Sequence, residues 1–249
     1  LPAEMPVPIR DRDIPATVPG CVHTDLLAAG LIDDPYYDRN EPAMQWIAET
    51  DWQYRCTFDA EADLLAAQRL DLFAEGLDTI AAVELNGQRV GRADDMHLAW
   101  RFDVRGLLKP TGNTLVITFF SAAEYARRME AKFGPRPHAE RDPFNYIRKM
   151  ACNFGWDWGP RLATAGVWKP ICLEGWRVAR IAAARPLVMA ADEPAATPHE
   201  HVDVARATDD AQRDQAIDVP LPGPDGRQLN ARPLRAAAAQ TAHPPLPGP

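Results

Sequence analysis

Serine is nearly absent from this sequence, and Ser121 stands where a helix cap is expected, so Ser-His-Asp chemistry has no nucleophile to draw on. Histidine is scarce as well. The six residues form no H-E-x-x-H or comparable ligand set, and the one close pair, His199 and His201, lies in a polar stretch that reads as solvated charge. No metal site and no cofactor is expected. The four cysteines, Cys21, Cys56, Cys152 and Cys172, contain no CxxC pair and are too sparse for a disulfide framework, which leaves them as buried thiols. Cys152 has no histidine near it in sequence and is read as structural rather than nucleophilic. No apolar run approaches the roughly 18 residues of a membrane helix, and LPAEMPVPIR has no charged segment leading into an apolar one. Neither a membrane partner nor an export signal is expected, and the cytoplasm is the expected location, conditional on the N-terminus because the chain starts on Leu1 rather than Met. A net charge of −8 argues against the basic face that nucleic-acid binding requires, and no nucleic-acid partner is expected.

Aromatic residues are absent from one end of the chain. All eight Phe, five Tyr and seven Trp lie at or before Trp176. From Ala182 onward the text turns to Ala, Pro, Asp and Arg (AAARPLVMAADEPAATPHE, later DVPLPGPDGRQ and PPLPGP), a composition that cannot bury enough apolar surface to offset the entropy of ordering. One run there, HVDVARA, alternates Val202 and Val204 as a strand does. The implied organisation is a folded domain over residues 1–181, then over 182–249 a linker, the remnant first strand of a second domain and a disordered Pro/Ala-rich tail.

Within the folded part the dominant period is two. In DWQYRCTF, Trp52, Tyr54, Cys56 and Phe58 alternate with polar residues, as in a strand with one face on a core. RLDLFAE repeats the pattern with Leu70, Leu72 and Ala74, and TIAAVELNGQRVG supplies Ala81, Val83 and Leu85 followed by Asn86-Gly87, the dipeptide that best tolerates a type I′ hairpin. NTLVITFF and VWKPICLEGW read as further strands. Two helices are expected: TDLLAAGL, capped by Thr24 and ended by Gly30, and residues 122–133, opened by Ser121 and Glu124 in capping-box spacing and stopped at Gly134-Pro135. Many short strands, one hairpin signal and few helices describe an all-β fold, an antiparallel jelly-roll or galactose-binding-like β-sandwich.

One stretch stands apart. In NFGWDWGPR, Trp156 and Trp158 flank Asp157, and Gly155 and Gly159-Pro160 fence the three, which argues for a protruding strap rather than a regular strand. A pyranose has an apolar C–H face and an edge of hydroxyls, which suit a stiff indole plane and an ionised carboxylate respectively. Two readings stay open: a sugar-facing clasp, or tryptophans filling a sandwich interior with Asp157 capping a turn. The carboxylates Asp51, Glu75, Asp78, Glu84 and Asp103 have solvent-facing parity and no expected part in acid-base catalysis, and Asp78-Thr79 reads as a turn bonding to its own backbone.

Four stretches together resemble the N-terminal domain of the β-mannosidases of glycoside hydrolase family two. They are ATVPGCVHTDLLAAGLIDDPYYDRNE, WIAETDWQYRCTF, FAEGLDTIAAVELNGQRVG with FDVRGLLKPTGNTLVITF beyond it, and FGWDWGPRLATAGVWKPICLEGW, covering most of residues 16–181. The F-x-G-x-D-T and V-x-L-N-G-x-x-V-G block is shared with β-galactosidases and β-glucuronidases, whereas VPGCVHTDLL and GWDWGP point to the mannosidase branch and its exo-glucosaminidase and endo-mannosidase relatives. The resemblance implies a jelly-roll domain followed by an immunoglobulin-like domain and a (β/α)8 barrel, the last carrying an acid/base Glu and a nucleophile Glu roughly 5 Å apart in a retaining mechanism. It implies no catalytic residue here and a barrel partner absent from this chain. It also assigns Trp156 and Trp158 to walls of a terminal-mannose pocket and Asp157 to accepting hydroxyl hydrogen bonds, with Arg148 and Asn153 supporting the strap. The substrate it implies is a β-mannoside or manno-oligosaccharide. The pattern departs from the family before ATVPG, where LPAEMPVPIRDRDIP makes a weak first strand, and after HVDVARA. A stand-alone carbohydrate-binding module, or a structural sandwich packing on a partner, are the other functions open to such a chain.

Overall fold

The computed structural model describes residue 9, residues 12–137, 142–192 and 195–207, and the short runs 216–217, 221–222, 228–229 and 234–235. It divides into two units, Leu1–Gly175 and Trp176–Pro249.

In the first unit seven strands form two sheets. They are β1 (Trp52–Phe58), β2 (Arg69–Ala74), β3 (Ala81–Leu85), β4 (Gln88–Ala93), β5 (Trp100–Asp103), β6 (Asn113–Phe119) and β7 (Ile171–Trp176), ordered β1-β6-β3-β4 and β5-β2-β7. The register of β1 on β6 and of β3 on both β6 and β4 is antiparallel. The period-two residues of both sheets meet in one apolar cluster: Leu70, Leu72 and Ala74 from β2, Ala81, Val83 and Leu85 from β3, Phe102 from β5, and Leu115, Ile117 and Phe119 from β6. This is an antiparallel β-sandwich, with each large buried side chain contributing about 1.5–3 kcal/mol of transfer free energy. Asn86 and Gly87 join β3 to β4 with φ of 53° and 78°, the pair of positive angles a type I′ turn needs.

The helices are α1 (Val22–Ala28), the single turn α2 (Ala62–Leu65) and α3 (Ala122–Phe133). Ser121 caps α3 by accepting the Glu124 amide at 3.0 Å, and Gly134 ends it at φ 85°. Thr24, expected as the cap of the first helix, instead sits one turn inside α1. Cys21 is the capping position, and the Thr24 hydroxyl reaches back to its amide and carbonyl. The cysteines also differ from expectation. Cys56 and Cys172 are exposed on the edge strands β1 and β7, where parity does not guarantee a neighbour to cover each position, and Cys21 and Cys152, outside the strands, are half-buried.

In the second unit β8 (Ala179–Asp192) and β9 (Ala195–Arg206) pair antiparallel as a long hairpin. HVDVARA lies at its end, and the alanine-rich segment read as linker is the other strand of the pair, with Arg185 of β8 also bonding Asp203 of β9 at 2.5 Å. Most of the Pro-rich tail and of LPAEMPVPIR lies outside the described residues, as does the His199 to His201 pair's side-chain environment. No helix among the described residues is long and apolar enough to cross a membrane.

Candidate functional site

Residues 149–164 form an excursion between α3 and β7 that starts and ends at one buried group. Gly155, at φ 98°, lets the chain swing out of the short helical turn Ala151–Phe154. The next four residues close on themselves: the Trp156 amide donates to the Gly159 carbonyl at 3.1 Å and the Gly159 amide to the Trp156 carbonyl at 3.3 Å. The result is a tight turn whose side chains project outward. Trp156 is 55% exposed and Trp158 73%, and Asp157 between them is exposed too. Among the described residues no hydrogen bond engages the Asp157 carboxylate. The indoles therefore do not fill the sandwich.

What holds the turn lies beneath it. Phe154 is buried with Ala122, Ala123 and Ala126 of α3, and its ring lies 6.5 Å from that of Phe144. Downstream, the Arg161 guanidinium grips Asp142 through two bonds of 2.6 and 2.7 Å and also donates to Gln45, while its amide donates to Glu41 at 3.0 Å and its carbonyl accepts from Gln45 at 3.0 Å. Upstream, Arg148 pairs through Nε with Asp95 at 3.1 Å although its side chain is 77% exposed, and its carbonyl accepts the Met96 amide. Asn153 sits on the helical turn, its Oδ1 buried without a hydrogen-bond partner among the described residues.

Asp78 is the deepest of these anchors, and it corrects the reading of that residue as solvent-facing. The Lys149 ammonium donates to both its oxygens at 2.5 and 2.6 Å, the Thr164 hydroxyl to Oδ2 at 2.7 Å, and the Thr79 hydroxyl to Oδ1. The third Lys149 proton goes to Thr164 at 3.0 Å, so all three donors of the ammonium are used. The Lys149 and Asp78 side chains are 0% and 2% exposed. Burial lowers the Lys149 pKa, and the Asp78 charge works against that shift. His23, buried nearby, is lowered to about 4, first by desolvation and then by the Lys149 charge, with Asp78 opposing. Tyr54 donates to Asp25 at 3.0 Å, and burial followed by that carboxylate raises its pKa.

The sequence of residues 8–169 matches the model of the glycosyl hydrolase 2 galactose-binding domain-like family. The chain belongs to that family. Among its relatives are the β-mannosidase of Bos taurus, 36% identical over 177 residues and spanning 68% of this chain, and β-mannosidase B of Thermothelomyces thermophilus, 41% identical over 162 residues and 63% of this chain. The crystal structure of the β-D-mannosidase of Dictyoglomus thermophilum superposes with a TM-score of 0.75 at 36% identity, over 80% of this chain and 24% of that one. The chain spans 20% of the length of the bovine relative and 18% of the fungal one. In this glycosyl hydrolase 2 domain the residues singled out from sequence do not all converge: the two indoles and Asp157 share one turn, Asn153 lies at its foot, and Arg148 is engaged by Asp95.

The anchors Asp78, Lys149, Thr164, Arg161 and Asp142 were not read from sequence. Asp78 and Lys149 are 71 residues apart, and Asp78 and Thr164 are 86 apart, so local pattern cannot pair them. The one available signal was a lysine beside Arg148 in an otherwise aromatic and apolar stretch.

Proposed function

We propose that this domain belongs to a β-mannosidase-like retaining exoglycosidase and that its Trp156-Asp157-Trp158 turn forms one wall of the pocket for a terminal mannose. The observation that carries the reading is an exposed indole-carboxylate-indole turn on a rigidly anchored base, in a chain more than 30% identical to β-mannosidases. The indoles offer apolar planes to the C–H face of the sugar, and the Asp157 carboxylate has acceptor capacity for two neighbouring hydroxyls. The hydrolytic glutamates belong to a (β/α)8 barrel, which the described residues do not form. The domain contributes binding and orientation, and the barrel contributes proton transfer and the covalent intermediate.

The test joins residues 8–169 to the remaining chain of the Dictyoglomus thermophilum β-D-mannosidase and measures hydrolysis of an aryl β-mannoside. Asp157→Asn in the graft is expected to lower kcat/KM by about 30- to 100-fold, the loss of a charge-assisted pair of hydrogen bonds. An unchanged kcat/KM would remove Asp157 from the pocket. The 249-residue chain alone is expected to show no turnover and weak mannose binding, because half a pocket buries little ligand surface. Tight binding of mannose by the isolated chain would favour a stand-alone carbohydrate-binding module instead.

A further inference from the structure

The excursion that carries the tryptophans leaves the sandwich at Lys149 and rejoins it at Thr164, and both residues end on the same carboxylate, Asp78. Two residues further on, the Gly166 amide and carbonyl exchange hydrogen bonds of 3.0 Å with the carbonyl and amide of Asp78 itself. Asp78 lies between β2 and β3, in the buried part of the sandwich, so a single fixed point holds the two feet of the loop together. A buried ion pair is a poor device for stability, since an apolar pair of similar volume often does as well or better. What a carboxylate with four donors supplies that an apolar pair does not is direction: it fixes where each foot lies and how each is turned.

We propose that Asp78, Lys149 and Thr164 are positioning residues for the turn 156–159, acting as a clamp that holds the indoles and Asp157 in their projecting geometry before any ligand arrives. The inference rests on the reading of that turn as a sugar-binding wall. Its benefit there is that the closure entropy of the loop is met on folding rather than on binding, which leaves more of the contact energy for the sugar. Arg161 with Asp142 and Phe154 with α3 fix the middle of the excursion, and the clamp fixes its ends.

Thr164→Val separates this role from a merely structural one, because it removes one foot's hydroxyl while leaving Lys149 paired with Asp78. Hydrogen exchange is followed at the amides of Trp156 and Gly159, which bond each other across the turn, and at core amides of β3 and β6. In Thr164→Val the turn amides are expected to exchange about 10-fold faster while core amides stay within about two-fold, and Thr164→Ser, which keeps the hydroxyl, is expected to restore the parent rates. Unchanged exchange at the turn would overturn the clamp, as would equal acceleration of turn and core, which would mean that Thr164 supports the whole fold. The measurement contains no sugar. A turn that loosens as expected but fails to affect mannoside hydrolysis in the graft refutes the sugar-wall reading and leaves the clamp standing.

Discussion

The tip and the feet of residues 149–164 are built to opposite specifications. At the tip two of the seven tryptophans and a carboxylate stand in water; at the feet an ammonium, a carboxylate and the Thr79 hydroxyl are buried, with half-buried Thr164 beside them. Apolar groups outside and charged groups inside invert the usual distribution. The inversion is tolerable only because every donor at the feet has an acceptor, and on the function proposed above it divides the labour, with folding energy at the feet and sugar contact at the tip.

The sharpest way to break that division is Lys149→Met. It leaves the buried Asp78 carboxyl with only two threonine hydroxyls, and removing one partner of a buried ion pair costs about 3–5 kcal/mol. Urea denaturation is expected to show an unfolding free energy lowered by that amount, large enough to threaten folding of the whole unit. A loss below about 1 kcal/mol would mean that the feet carry little energy.

Titration probes the same end of the loop without a mutation. His23 is held neutral to about pH 4, whereas in the unfolded chain it protonates near 6.5. Below 6.5 the unfolded state therefore binds a proton the folded state refuses. The stability associated with neutral His23 is complete above that pH and falls by up to about 3 kcal/mol as pH drops to about 4. Comparing urea midpoints between pH 7.5 and pH 4.5, roughly, should show this slope in the parent and a shallower one in His23→Gln. Parallel profiles would mean that His23 titrates as if exposed.

The two ends also differ in how far they could be read from the amino-acid order. Trp156 and Trp158 announce themselves because glycine and proline fence them within a few residues, and the same locality made the Asn86-Gly87 hairpin, the Ser121 cap and the Leu70, Leu72, Ala74 face legible. Whether the indoles faced water or core was not legible, since both outcomes fit the same text. Asp78 was misread for a related reason: strand parity pointed it outward, and the partners that draw it inward come from 71 and 86 residues away. Cys56 failed in the other direction, because inward parity on an edge strand lacks a second layer over it. Period and turn chemistry are local, while burial of a charge is decided by what the tertiary fold brings to it.

The smallest expected effect completes the contrast. Trp158 is 73% exposed, so Trp158→Ala removes little buried area and should change the unfolding free energy from urea denaturation by no more than about 0.5 kcal/mol. Trp156 and Trp158 exposed on one turn make an apolar patch of the kind that contact surfaces use, which is the role proposed for them. If the same substitution that leaves the midpoint unmoved depresses mannoside hydrolysis in the graft, the indole is there for what it touches rather than for the fold. If instead the midpoint falls as far as it does for Lys149→Met, the indole must be packed in solution, and the separation of tip from feet fails at its exposed end.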